Sequence, residues 1–157
     1  MLIGDHQQLR PATSVHRLAV QFGLDVSLFE RLLTRGVSHV TLRTQRRMRP
    51  EISALLAHIY PALQDHESTL SRGGVRGVRK PVFFVQHALH EGKAGEARSR
   101  VNGHEASFLA ALAAWLVACG HLAESITVLT PYCGQLLALR NAFAQRGPML
   151  GGCVLRS

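Results

Sequence analysis

Residues 125–140 read SITVLTPYCGQLLALR: an apolar run of strand length, a Thr-Pro-Tyr corner, then a run with helical apolar spacing. A strand that feeds a helix is the building block of α/β folds, and the same order recurs on either side of this stretch. Upstream, residues 103–119 form a long, strongly apolar segment, expected as a buried helix. Before it stands VFFVQH (residues 82–87), a continuous apolar run expected as a strand. Strand, helix, strand, helix, with apolar strands, predicts parallel βαβ units in an α/β layer fold. Downstream, residues 134–145 complete the helix, whereas the tail GPMLGGCVLRS (residues 147–157) shows no clear period.

The N-terminal third extends the pattern. SVHRLAVQFGL (residues 14–24) and SLFERLLTRG (residues 27–36) carry helical spacing, with Ser27 as an N-cap and Gly36 as a stop. HVTLRTQ (residues 39–45) alternates like a half-buried strand. RPEISALLAHIYP (residues 49–61) predicts a short helix opened by Pro50 and stopped by Pro61. Two polar, glycine-bearing stretches, SRGGVRGVRKP (residues 71–81) and HEGKAGEARSRVNG (residues 90–103), are expected as loops.

Composition limits the possibilities. The 157 residues are 46% hydrophobic, enough for an ordered core. Eighteen Lys and Arg stand against ten Asp and Glu, a formal charge of +8, which favours anionic partners such as nucleic acid or nucleotide. Cys119, Cys133 and Cys153 are an odd, dispersed set without a CxxC pair, as expected for a reducing intracellular compartment, cytoplasmic or nuclear. The nine histidines are scattered, and no metal site is expected from them. The most apolar run, residues 106–123, reaches Gly120-His121 before the roughly 20 residues that a membrane span needs.

The chain opens MLIGDHQQLRP (residues 1–11), an apolar strand-like run that delivers Gly4, Asp5 and Gln8 to its tip. In α/β proteins ligands gather at the carboxyl ends of strands, and a glutamine there offers both a donor and an acceptor. The bland alternative is an ordinary β–α turn. QRRMRPEIS (residues 45–53) follows, with Arg46, Arg47 and Arg49 as candidates for a planar, permanently charged fork toward phosphate. A solvated basic face is the alternative. Tyr132, after Thr130 and Pro131, is either a base-stacking aromatic or a cap on the core.

Taken in order, GDHQQLRP, SLFERLL, QRRMRPEIS and ITVLTPYCGQLLALR resemble the Upf-one-like branch of superfamily 1 helicases, nearest the NFX-type zinc-finger-containing helicase-like proteins. The resemblance covers the chain to about residue 145. It implies a RecA-like, P-loop NTPase type of parallel sheet with flanking helices, present in part: residues 1–43 as the end of a first RecA-like domain, residues 44–147 as part of a second (helicase C-terminal, AAA_12-like) domain, and residues 148–157 as an irregular tail. In that family the glutamine of the GDxxQLxP stretch senses the γ-phosphate, which is Gln8 here, with Gly4 and Asp5 beside the nucleotide. The arginine of the QYRMHP-like stretch reaches the same phosphate, which makes it Arg47. Arg46 stands where relatives carry an aromatic near the nucleotide base, and its guanidinium plane can also stack. Thr130, Pro131 and Tyr132 face the nucleic-acid track.

The resemblance further implies ATP and Mg2+ as cofactors of an intact helicase acting on RNA before DNA, among proteins of RNA silencing or RNA surveillance. No Gly-x-x-x-x-Gly-Lys-[Ser/Thr] occurs in the 157 residues, nor do the family's magnesium-binding motif and its motifs V and VI. The chain is therefore expected to be a fragment that is inactive alone and holds nucleotide weakly. The competing class is a non-enzymatic basic α/β module that binds RNA or a partner protein.

Overall fold

The structure is a computed structural model that describes residues 1–94 and 99–157. It divides into two compact units, Met1–Arg72 and Gly73–Ser157. In the first, helix α1 (His16–Phe22) and helix α2 (Leu28–Thr34) precede strand β1 (Thr44–Gln45), helix α3 (Pro50–Ser53) with a 3-10 turn at Ala54–Leu56, and strand β2 (Gln64–Asp65). In the second, strands β3 (Gly92–Ala94) and β4 (Ser99–Val101) lead into helix α4 (Gly103–Ala118), strand β5 (Thr127–Leu129), helix α5 (Cys133–Gln145) and strand β6 (Val154–Arg156).

The architecture is mixed α/β built on short parallel pairs. β1 runs parallel to β2, with Thr44 opposite Gln64, and β5 runs parallel to β6, with Val128 opposite Leu155. Each pair is bridged by a helix, α3 or α5, so two parallel strand–helix–strand units are present, each closed by a strand, β2 or β6, that was not expected from sequence. Local chemistry sets the helix ends where expected. Ser27 Oγ accepts from the Glu30 amide at 3.1 Å. Gly36 stops α2 at φ +77°, with its N–H on the Leu33 carbonyl and that of Val37 on the Leu32 carbonyl. This paired closure needs a left-handed residue, and glycine adopts that conformation without a Cβ clash. Pro50 opens α3, where a missing N–H costs nothing.

The apolar core lies in the second unit. Ala106, Ala110 and Ala113 form a stripe at i, i+4, i+7 on α4, and small side chains there let α5 approach closely with Leu139 and Phe143. Val128 and Leu150 complete the buried set. The N-termini of the two helices are joined by a buried polar pair: Gln135 Oε1 accepts from the Asn102 amide at 2.7 Å, and its Nε2 donates to the Asn102 carbonyl at 3.1 Å. Gly134 sits so close to β4 that an added Cβ would lie 3.0 Å from Ser99 Oγ.

Several expected strands are absent. Residues 1–5 and 82–87 form no strand, with Ile3 84% and Phe84 89% exposed. Of residues 39–45 only Thr44–Gln45 pairs, and Val40 and Leu42 are exposed. A strand exists only where a partner's N–H and C=O row lies alongside, and among the described residues these runs have none. The helix expected over residues 49–61 narrows to α3 and its 3-10 turn. Conversely, the tail contains β6, too short to show a period. The expected second loop carries the β3–β4 hairpin, held by pairing Lys93 against Arg100 and by an ion pair between Glu91 and Arg100. Residues 95–98 of that loop lie outside the described residues.

Candidate functional site

In the first unit the tip of the opening stretch is organised around one carboxylate. Asp5 Oδ1 accepts from the Gln7 amide at 3.0 Å, and Oδ2 accepts from Gln8 Nε2 at 2.9 Å and from the Tyr60 hydroxyl at 2.7 Å. The Tyr60 hydroxyl, with help from Gln8 and the Gln7 amide and against a smaller opposing effect of burial, holds the Asp5 carboxyl below its ordinary range. The same bond to Asp5 raises the Tyr60 hydroxyl above its own. A carboxylate only accepts, so the Gln8 amide nitrogen must face it, and the Gln8 carbonyl oxygen turns outward as an exposed acceptor. Gln7 Nε2 adds a second tie, to the Ile59 carbonyl at 3.1 Å.

Two further contacts fix this tip. Gly4 lies against the Phe29 ring of α2, where an added Cβ would come within 3.4 Å. Arg10 forks onto Asp25 at 3.2 Å and Glu30 at 2.6 Å, and Glu30 leads in raising its already high pKa.

The arginine-rich stretch follows β1 and is bracketed by Gln45. Gln45 Oε1 accepts from the Arg47 amide at 2.9 Å and the Met48 amide at 2.7 Å. Its Nε2 donates to the Met48 carbonyl and to Asp65 Oδ1, both at 2.6 Å. Ser53 Oγ holds the other Asp65 oxygen at 2.9 Å. One amide thus closes the turn that carries all three arginines and ties it to β2.

The arginines differ in what they touch. Arg49 pairs with Glu51 at 3.2 Å and reaches the Arg72 carbonyl at 3.3 Å; Arg72 in turn donates to the Arg46 carbonyl at 2.9 Å. Arg46 and Arg47 are exposed, and among the described residues their guanidinium groups make no hydrogen bond or ion pair. A fork left open on a backbone fixed by Gln45 can receive a phosphate without first breaking a protein contact. No hydrogen bond joins Gln8 to Arg47 among the described residues. Gln45 and Tyr60 were not singled out from sequence: the Tyr60 bond to Asp5 spans 55 residues and the Gln45 bond to Asp65 spans 20, although Gln45 also bonds locally to Arg47 and Met48.

In the second unit the Thr-Pro-Tyr corner continues β5 into α5. The Thr130 amide donates to the Arg156 carbonyl at 3.1 Å, one step beyond the β5–β6 ladder. Thr130 Oγ1 accepts from the Tyr132 amide at 3.4 Å, Pro131 is exposed, and Tyr132 caps the α5 backbone while 43% exposed.

Among the described residues no cluster of three or more His, Cys, Asp or Glu is placed to hold a metal ion, and no described helix is long and apolar enough to cross a membrane. The three cysteines are unpaired thiols, and burial pushes the Cys153 thiol up.

Comparison with known proteins places this geometry. Residues 24–150 match the family described as AAA domain (AAA_12). The mouse (Mus musculus) NFX1-type zinc finger-containing protein 1 is 48% identical over 142 residues, 90% of this chain and 7% of its own length. The Schizosaccharomyces pombe protein named Helicase required for RNAi-mediated heterochromatin assembly 1 is 39% identical over 139 residues, 86% of this chain and 14% of its own. A Regulator of nonsense transcripts 1 homolog from Arabidopsis thaliana is 31% identical over 162 residues, 95% of this chain and 12% of its own. The chain spans only 7% to 14% of the length of these three relatives. With the domain match running through both arginine-bearing and Thr-Pro-Tyr corners, the chain belongs to the AAA-domain family of superfamily 1 helicase type, in its Upf-one-like branch.

Proposed function

We propose that this chain is the part of an ATP-dependent RNA helicase that reads the terminal phosphate of ATP and touches the nucleic acid, with residues 1–43 and 44–147 belonging to two RecA-like domains. Gln8 orients the attacking water through its outward carbonyl, its amide nitrogen being held by Asp5. Arg47 neutralises charge that develops on the transferring phosphoryl group, Arg46 lies beside the nucleotide, and Thr130, Pro131 and Tyr132 contact the strand. ATP supplies the phosphoryl group when bound. The residues present fit its terminal phosphate and not magnesium, because Asp5 already receives three donors.

The observation that carries this reading is the contrast within one turn: Arg47 has an open fork on a braced backbone, whereas Arg49 is tied to Glu51 and Arg72. In a full-length relative that supplies a P-loop, substitution at the position of Arg47 by Ala lowers ATP turnover by about 10³-fold or more. ATP and RNA affinities change far less, since the interaction belongs to the transition state. Lys rescues little, and the Arg49→Ala equivalent costs much less. Equal losses at both positions in steady-state hydrolysis, or a loss confined to RNA affinity, reject the assignment. The absence of a Gly-x-x-x-x-Gly-Lys-[Ser/Thr] stretch from these 157 residues supports a second statement about the chain by itself: it binds nucleic acid without turnover.

A further inference from the structure

The basic loop before the β3–β4 hairpin is fastened to the far end of α4. Trp115 Nε1 donates to the Gly77 carbonyl at 2.9 Å, and His121 Nε2 lies 3.0 Å from the Arg76 carbonyl. The Arg76 guanidinium donates to the Gly120 carbonyl just beyond the C-terminus of α4. Gly77 has φ +86°, and an added Cβ would meet Cys119 Sγ and Trp115 Nε1, so the loop backbone lies directly on the helix. The indole N–H is thereby satisfied while the residue stays 56% exposed. An aromatic ring whose polar edge is pinned and whose remaining surface faces water is a fixed platform, not a mobile surface side chain.

The loop pinned to this ring at Gly77 is basic. The stretch from Gly73 to Lys80 has no carboxylate. Arg79 and Lys80 are exposed and make no hydrogen bond or ion pair among the described residues. With Val78 and Phe83 they line an open depression of about 550 Å3. Free cations beside exposed aromatic rings are the combination that holds single strands: the cations take phosphates and the rings take bases, without reading sequence. The Asn102–Gln135 pair sets the Thr-Pro-Tyr corner beside the start of α4. Trp115 lies twelve residues along that helix, which at the α-helical rise is about 18 Å away.

We infer that Trp115, Arg79 and Lys80 form a second, sequence-blind contact for single-stranded nucleic acid, separate from the Thr-Pro-Tyr corner. The inference takes the identity of the partner from the reading above and nothing else from it. Charge complementarity selects a polyanion, and the exposed ring selects one with bases to stack.

Trp115 is the sole tryptophan of the chain, so its emission reports this surface alone. The 157-residue chain is titrated with a labelled oligouridylate of about 12 nucleotides, following strand anisotropy and Trp115 emission together. Emission should be quenched in step with the anisotropy rise. Arg79→Ala with Lys80→Ala should lower the slope of log affinity against log salt by about 1.4 for the two lost phosphate contacts. Trp115→Phe should weaken binding about tenfold, while Tyr132→Ala should leave the quench in place. An anisotropy rise with unchanged Trp115 emission, and an unaltered salt slope in the double variant, overturns the second surface and leaves nucleic-acid binding standing. No anisotropy rise at low salt overturns both. Equal quenching by polyglutamate means that the surface reads charge without bases, and also overturns the inference.

Discussion

The two units are held together by different physics. In the second, α4 and α5 close on seven buried apolar residues, from Ala106 to Leu150. In the first, α1 and α2 bury no residue at all, and the buried side chains, Ser53 and Thr69, are polar. What organises the first unit is a set of hydrogen bonds and ion pairs: the Asp5 hub, the Arg10 fork and the Gln45 bracket. Apolar burial is non-directional and tolerates small shifts, whereas a hydrogen-bonded bracket fixes a backbone at a chosen orientation and contributes only about 1 kcal/mol per bond. The proposed phosphate-reading side chains stand on the second kind of support.

That contrast is open to direct attack, most forcefully in the core. Leu139 is wholly buried between the helices. Leu139→Ala should cost the second unit about 2–5 kcal/mol, read as a lower denaturant midpoint of Trp115 emission. Hydrogen exchange along α2 should be unchanged; a parallel loss there would mean that the two units share one source of stability.

A smaller effect is expected at Gln45. Gln45→Ala removes both acceptors and donors from the arginine turn and should cost about 1–3 kcal/mol locally. Faster amide exchange at Arg47 and Met48, with an unmoved Trp115 midpoint, is the expected result. Gln45→Glu should do more harm than Ala, because it sets an oxygen against the Met48 carbonyl and Asp65. If Glu is the milder change, the bracket is not held by its donor side.

The smallest effect is a pH dependence confined to the first unit. The Asp5 carboxyl is lowered on folding, so its contribution is complete above the ordinary carboxylate range and is lost as pH falls through the folded value. The Tyr60 hydroxyl is raised, so its contribution is complete below the ordinary tyrosine range and is lost as pH rises through its folded value. Ring resonances of Tyr60 should move on the acid side as Asp5 titrates. Asp5→Asn should abolish that acid limb; its survival would assign the shift to another group.

How much of this was legible in the sequence follows from the range of the interactions. Ser27, Gly36 and Pro50 act within a few residues of their own position, and each does what its local chemistry predicts. Gly4, Asp5, Gln8 and the arginines were read as a pattern, and the resemblance singled out Arg47 among them. What the pattern did not give is that Arg49 is tied to Glu51 and Arg72, and Arg72 is 23 residues from Arg49. The strands were the least legible part. Phe83 and Phe84 have every local mark of a strand and no ladder to join, while Val154–Arg156 has no mark and finds one.

The parallel pair of β5 and β6 has a practical consequence. Among the described residues each strand is paired along one side only, which leaves a row of free amides and carbonyls at its outer margin. Leu129 is 73% exposed beside one such margin. An open margin is a template for another chain, but both strands are only three residues long, so an added strand gains few hydrogen bonds and self-association should stay weak even in concentrated solution.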